Sequence, residues 1–401
     1  MHRIRILQTD SEAHLIREMG EIGVDPAGIA LMSPKGVNRA LRLESLSPWQ
    51  ANLLKQEMLS LGGEAAVHRG AIDCSASSTA ALLMGTVKHF RALIDKLEKQ
   101  PPTMRRIGEE VRAALTEYDR RRFSLSLGSQ VLDLGERTAV MGVVNVSPDS
   151  FYDGGTHFST AQAVEHGLRL ADEGADILDV GGESTRPGAK PVPLEEEQRR
   201  VLPVVEGLAS RCKIPLSVDT YKAEVARRAL DLGAVMVNDI SGLRFDPGMA
   251  RVAAEGGAAL IVMHMRGEPR TMQSAPDYAN LMGEVVEVLR RSVETAVEGG
   301  LDREQVLVDP GIGFGKTLDH NLHLLRHLPE LRVLGRPIVV GPSRKSFIGT
   351  ISGLPAGERL EGTLAAVSLA VSGGAHIVRV HDVSAVRRSV EIADAVCRRD
   401  P

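Results

Sequence analysis

Between residues 140 and 382, short apolar runs repeatedly end on side chains able to bind or polarise a ligand. VMGVVN ends on Asn145, DILDVG leads into Glu183, Ser184, Thr185 and Arg186, and PLSVD ends on Asp219. VMVND carries Asn238, ALIVMHM carries His264, and QVLVDP carries Asp309. PIVVGPS opens onto Ser343, Arg344, Lys345 and Ser346, and HIVRV carries Arg379 just before His381. Arg344, Lys345, Arg379 and His381 form a donor set suited to an anionic group such as a phosphate. Asp219 and Asp309 are acceptors and suit a group rich in N–H donors. The ligand so described has an anionic end and a donor-rich heterocyclic end. Taken singly, Asp219 could cap the following helix and Asn238 could satisfy a turn. It is the recurrence at the end of nearly every run that calls for a ligand.

These residues meet only if the runs are parallel strands. Each run is apolar on both faces, as in a sheet covered by helices, and each is followed by a helical segment. Those segments run from Thr160 to Glu173, Lys222 to Asp231, Pro247 to Glu255, Tyr278 to Glu298, His320 to His327 and Glu358 to Val371, with a last one to about Arg398. Eight strand–helix units after Thr138 fit a (β/α)8 TIM barrel of roughly 250 residues. A doubly wound open sheet is the alternative, but it does not need eight consecutive parallel units. In a barrel all eight C-terminal strand ends share one face, and loops after the last two strands often hold phosphate. Two loops are rich in glycine and polar groups: NVSPDSFYDGG, with Asp149, Ser150 and Asp153, and GESTRPG.

Residues 1–120 have a different texture, a small α+β domain with no repeat. RIRILQ, GIALMS, ALRLESL, AAVHR and ALLMGTV are expected strands, and Pro101-Pro102 is expected to end the helix from His89 to Lys99. Arg120, Arg121 and Arg122 read as a solvated, charge-mixed linker. FSLSLGSQVLDL alternates about Gly128-Ser129 and predicts a β-hairpin that would bury Phe123, Leu125, Leu127, Val131, Leu132 and Leu134 under the barrel. The hairpin therefore belongs with the barrel domain, 121–401.

The 48 Lys and Arg against 52 Asp and Glu leave a net charge of -4, which argues against a nucleic-acid-binding body. Cys74, Cys212 and Cys397 are too far apart for a zinc motif and odd in number, so a reducing cytoplasm is expected. No run approaches the ~18 apolar residues of a membrane span. Gly315-Lys316-Thr317 looks like the end of a P-loop, but Pro310 stands where its first glycine must be. His320, His323 and His327 share a helix face without a Cys or carboxylate partner, an ordinary histidine face rather than a metal site.

NVSPDSFYDGG, DVGGESTRPGA, SVDT, VNDISG, MHMRGEPRTMQ, VDPGIGFGK, SRKSFIG and VRVHDV, in this order, resemble the successive motifs of the dihydropteroate synthase family. The resemblance spans 138–397; Ser147 departs from it, a Thr being usual there, and residues 1–120 show neither a pyrophosphokinase nor an aldolase motif. It implies a transferase of folate biosynthesis that joins 6-hydroxymethyl-7,8-dihydropterin pyrophosphate to p-aminobenzoate, yielding 7,8-dihydropteroate and pyrophosphate. It also implies a magnesium ion (Mg2+), sensitivity to sulfonamides and small-molecule partners only; a homodimer is the expected assembly.

Carried over residue by residue, the resemblance gives Asp309 the pterin's 2-amino and ring N–H groups and Asn238 the adjacent ring positions. Lys345 donates to the ring carbonyl or a ring nitrogen, and Asp219 stabilises positive charge. Asn145, Arg379 and His381 hold the pyrophosphate, with Asn145 also reaching the metal. Thr185, Arg186 and Pro187 close over the site, while Phe314 and Ser346 line the p-aminobenzoate pocket. Asp219, Lys345, Arg379 and His381 are the expected catalytic set. Two alternatives share part of this pattern: a methyltetrahydrofolate methyltransferase-like barrel and a non-catalytic pterin-binding homologue. The first does not need STRPG, SRKS and RVHDV, and the second need not retain Arg186, Lys345 and His381.

Overall fold

A computed structural model of the chain describes residues 2–7, 9, 11–146, 160–186, 188–274 and 276–398. These fall into two compact units, Met1–Asp119 and Arg120–Pro401.

The first unit runs α1 (Glu12–Ile22), α2 (Pro26–Gly36), β1 (Asn38–Leu46), α3 (Pro48–Ser60), β2 (Glu64–Val67), β3 (Thr79–Thr86), α4 (Val87–Leu97) and α5 (Pro102–Asp119). Its strands form an antiparallel sheet in the order β1-β3-β2. Leu54, Met58, Leu83, Phe90, Leu93 and Met104 make its core. Ser47 and Gln50 form a capping box with Pro48 in the first turn, which fixes where α3 begins. Two expected strands are absent among the described residues: residues 3–7 of RIRILQ are irregular, and GIALMS lies inside α2, started by Asp25 accepting from Gly28 N. The 18-residue α5 was not anticipated, because Pro101-Pro102 reads as a stop. Proline at a first helical position is pre-organised for the turn, so the pair that ends one helix begins the next.

In the second unit, β4 (Phe123–Leu127) and β5 (Gln130–Leu134) form the hairpin, paired from Phe123↔Leu134 to Leu127↔Gln130. Gly128 at φ 61° supplies the left-handed turn residue. Alternation sends Phe123, Leu125, Leu127 and Leu134 into a cluster with Met141, Ile177, Met236, Ile261 and Leu307. Val131, expected to bury, is 65% exposed on the opposite face of β5. Arg120 is no solvated linker residue: its guanidinium pairs with Glu304 and lies 4.4 Å from the Phe123 ring centroid.

Eight parallel strands then alternate with helices. The strands are β6 (Ala139–Asn145), β7 (Ile177–Gly181), β8 (Leu216–Asp219), β9 (Met236–Asp239), β10 (Ala259–Met263), β11 (Val306–Asp309), β12 (Val339–Val340) and β13 (Ile377–Val380). Their order is β11-β10-β9-β8-β7-β6-β13-β12, and a parallel bridge, Val308↔Ile338, joins the two ends. The sheet is thus a near-closed (β/α)8 barrel. Around it lie α6 (Thr160–Asp172), α7 (Leu194–Ala209), α8 (Ala223–Asp231), α9 (Met249–Glu255), α10 (Leu281–Glu298), α11 (Leu318–Arg326), α12 (Ser346–Ser352), α13 (Leu360–Ser372) and α14 (Val383–Cys397). Val, Leu and Ala on the outer strand faces pack against these helices in one large cluster. None of the helices is long and apolar enough to cross a membrane, among the described residues.

Candidate active site

Register places the site. Asn145 pairs with Gly181, Gly181 with Asp219, and Asp219 with Asn238, so three predicted side chains stand in one row at the strand ends. Met263 pairs with Asp309, bringing β11 to the same rim. The strand ends and the loops that follow them line one cleft. Thr185, Asp219, Asn238, Asp309, Phe314, Lys345, Arg379 and His381 all line it. Ile240 and Met263 line it too, and with Met265, Met272 and Phe314 they form an apolar wall able to pack against a flat ring. That wall carries no polar signal, and a reading built on polar strand ends passed over it.

The charges form a connected set. Arg379 donates from Nε to Asp179 Oδ2 and from Nη2 to Asp219 Oδ2, each at 2.6 Å. Asn238 Nδ2 donates to the same Asp179 oxygen at 3.0 Å, leaving the Asn238 amide oxygen for other partners. Asp179 is fully buried, and its Oδ1 has no hydrogen-bond partner among the described residues. Sequence reasoning missed it because it sits inside the apolar run DILDVG. The available signal was an acid at a position buried on both faces, which demands a paired cation.

Burial pushes the Asp219 carboxyl up to about 7, with Arg379 opposing the rise. It raises Asp309 as well, against the hydrogen bond from Gly311 N and the nearby Lys345. Burial lowers Lys345 to about 8, and Arg379 adds to the effect. Its Nζ lies 4.1 Å from the Phe314 ring centroid. Burial works against the Arg379 cation, yet Asp179 and Asp219 hold it above the usual guanidinium range. His381 is lowered to about 4, first by burial and then by Arg379, so it is neutral at pH 7 and not the cation counted from the sequence. Its Nδ1 lies 3.0 Å from Ser343 Oγ, which leaves Nε2 for a ligand. Arg344 is also not a free anion ligand, since it pairs with Asp382.

The remaining expected residues lie off the cleft wall. Asn145 is half-buried at the end of β6, Arg186 is exposed beyond Thr185, and Ser346 is exposed at the start of α12. Pro187 and the first loop, with Ser147, Asp149, Ser150 and Asp153, lie outside the described residues. His264 turns away to meet Lys316, whose buried Nζ lies 2.9 Å from its Nδ1 and donates to Phe314 O at 3.0 Å. The Gly-Lys-Thr lysine therefore braces the Phe314 loop. His320 caps α11 with Thr317, and His323 stacks on His327. Among the described residues no group of three His, Cys, Asp or Glu is placed to hold a metal. Mg2+ instead favours one or two protein oxygens supplemented by water and substrate phosphates, and the hard amide oxygen of Asn145 at the rim fits that role.

The pterin-binding enzyme family profile matches residues 141–381, so the barrel is a pterin-binding enzyme by class. The dihydropteroate synthase of Synechocystis is 50% identical over 275 residues, covering 68% of this chain and 95% of that protein. The solved structure of Xanthomonas albilineans dihydropteroate synthase with 4-aminobenzoic acid is 46% identical with a TM-score of 0.65, covering 70% of this chain and 100% of that one. A probable bifunctional folylpolyglutamate synthase/dihydropteroate synthase of Halobacterium salinarum is 42% identical over 379 residues, 93% of this chain and 44% of that protein. Such a share is reached only by including most of residues 1–119, whereas the Synechocystis match is no longer than the barrel unit.

The chain belongs to the dihydropteroate synthase family. Its reaction is the condensation of 6-hydroxymethyl-7,8-dihydropterin pyrophosphate with p-aminobenzoate in folate biosynthesis.

Proposed function

We propose that the cleft binds the pterin by its donor edge, with Asp309 accepting from the 2-amino and ring N–H groups and Asn238 reading the adjacent positions. The convergence of Asp219, Asn238, Asp309, Lys345 and Arg379 on one cleft carries this reading. Lys345 donates to the ring carbonyl or a ring nitrogen, and the Ile240–Met263 wall covers a ring face. Arg379, held by two acids through Nε and Nη2, offers Nη1 to the pyrophosphate, and neutral His381 donates from Nε2. Asn145 completes the anion site and is the one protein ligand assigned to Mg2+. When bound there, the ion would neutralise leaving-group charge. Thr185, Arg186 and Pro187 close over the site, and Phe314 and Ser346 bound the p-aminobenzoate pocket.

The pterin methylene–oxygen bond breaks with its electron pair leaving on pyrophosphate. Asp219 faces the positive charge that then spreads over the dihydropterin ring. The amine nitrogen of p-aminobenzoate forms the new bond to the methylene and loses one proton to solvent. Positioning and charge placement supply the acceleration, and no covalent enzyme intermediate is needed.

Purified protein should release one pyrophosphate per dihydropteroate formed, only with both substrates and Mg2+ present. Pterin binding without product would instead support a non-catalytic homologue. We also place the protein in the cytoplasm, where the free thiols Cys74, Cys212 and Cys397 would stay reduced. A homodimer is supported by exposed Ile351, Leu369, Ile392 and Val396 on the packed helices α12, α13 and α14. Solution mass tests it, and a monomer at micromolar concentration would count against it.

A further inference from the structure

Beside the cleft lies a partly buried cluster that the reaction leaves unused. Glu183 opens the loop carrying Thr185 and Arg186, and Val192 lies at the loop's far end. Glu183 Oε2 accepts from the backbone N–H of Val192 at 3.2 Å, so one carboxylate spans both ends of the loop. The same oxygen accepts from Lys222 Nζ at 2.6 Å, and Oε1 accepts from Tyr221 O–H at 2.6 Å. Lys222 also pairs with Glu197 of α7, which is 1% exposed. Tyr221 is held in turn by an edge-to-face contact with Phe245 at 5.3 Å. One residue earlier, Gly182 O accepts from Arg200 Nη1 at 3.1 Å. A Cβ at Gly182 would come within 2.6 Å of the Val201 side chain, so the loop's root packs too closely on α7 to carry one. Tyr221 and Lys222 stand two and three residues after Asp219, so the cluster joins two loops that both reach the cleft.

We propose that Glu183 is a positioning residue: it clasps both ends of the 184–191 loop to the Tyr221-Lys222 turn, presenting Thr185 and Arg186 at the p-aminobenzoate side of the cleft. The functional half rests on the closing role given above to Thr185 and Arg186. With both ends tied, less conformational entropy is left to lose when Thr185 and Arg186 meet a ligand. An amide at 183 keeps an acceptor toward Val192 only by turning its NH2 to the Tyr221 oxygen, and in either orientation it loses the charge that holds Lys222, so the clasp loosens.

Hydrogen exchange and steady-state kinetics on Glu183→Gln test the two halves separately. The Val192 amide should exchange at least roughly 10-fold faster than in the wild type, the scale of one lost charge-assisted hydrogen bond. KM for p-aminobenzoate should rise by a similar factor, while affinity for a pterin lacking pyrophosphate and the melting temperature stay unchanged. Tyr221→Phe, which removes one bond and no charge, should show the same pattern more weakly. Unchanged Val192 exchange would overturn the clasp. A parallel loss of pterin affinity and melting temperature would overturn it too, showing a general structural role. Arg186→Ala is the control for the closing role, and an unchanged KM there would remove the functional half whatever Val192 does. If both roles hold, the double variant should be no worse than Arg186→Ala alone, because Glu183 acts through that loop.

Discussion

At the N-terminal mouth of the barrel, Leu125 and Leu127 of the hairpin meet Met141, Ile177, Ile261 and Leu307 in an apolar cluster. At the other mouth, the C-terminal ends of the barrel strands carry Asn145, Asp219, Asn238 and Asp309 in one rim. Burial has opposite consequences at the two ends. Below, each side chain removed from water adds to stability. Above, each charge loses hydration, which shows in carboxyls pushed up at Asp219 and Asp309 and ammonium groups pushed down at Lys345 and Lys316. A polar ligand that pairs with those groups offsets the cost, so the upper end is built for a partner and the lower end is not. Substitutions should therefore separate stability from chemistry according to which end they touch.

The largest effect should come from removing the lower plug. Deleting residues 1–118 is expected to leave a soluble barrel that binds pterin. Deleting through Glu136 also removes Phe123, Leu125, Leu127 and Leu134, each contributing roughly 1.5–3 kcal/mol when fully buried. That protein should aggregate or melt far lower, and equal melting of the two truncations would show that the hairpin does not hold the lower end.

Arg379 is where the separation should break down. Arg379→Ala should lower kcat/KM for pterin pyrophosphate by roughly 10²–10³, as for other charge-stabilising groups. It should also destabilise the fold, because Asp179 would keep a buried charge without its cation, a loss of about 3–5 kcal/mol. Wild-type melting of this variant would contradict the pairing as a support of the upper end.

Proton linkage sharpens the contrast with smaller effects. Folded Asp219 keeps its proton up to about 7, whereas the unfolded carboxyl releases it near 3.8. The folded state thus binds more protons across that window, and stability falls as pH rises through it. Catalytic efficiency should move the other way, with kcat/KM rising through about pH 7 as Asp219 ionises and falling above about 8 as Lys345 loses its proton. Asp219→Asn should flatten the acid limb and this part of the stability slope together. Melting curves and kinetics from pH 4 to pH 9 measure both.

How far the sequence reveals this arrangement depends on the kind of signal. The eight strands were legible because parallel strands covered on both faces read as unbroken apolar runs. The cleft residues were legible because they stand where those runs end. Asp179 was hidden by sitting two residues earlier, inside such a run, and its meaning depends on Arg379, 200 positions away. The neutral state of His381 and the capture of Arg344 by Asp382 follow from burial and pairing that spacing cannot express. In the first unit, GIALMS has β-like composition, but Asp25 and Pro26 set a helix start upstream and overrode it. Arg186 and Ser346 are named by motif, and their exposed positions show that a motif fixes a loop's identity before it fixes its geometry.

The central claim is that one barrel keeps its stability at one end and its chemistry at the other. Asp309→Asn and Leu125→Ala, each assayed for both pterin affinity and melting temperature, test it most directly. Asp309→Asn should weaken binding of a pterin without pyrophosphate by about 1–3 kcal/mol, the cost of an unpaired buried donor, with no fall in melting temperature. Leu125→Ala should cost about 2–5 kcal/mol of stability and leave pterin affinity of the folded protein unchanged. Two variants that each lose affinity and stability in step would contradict the account.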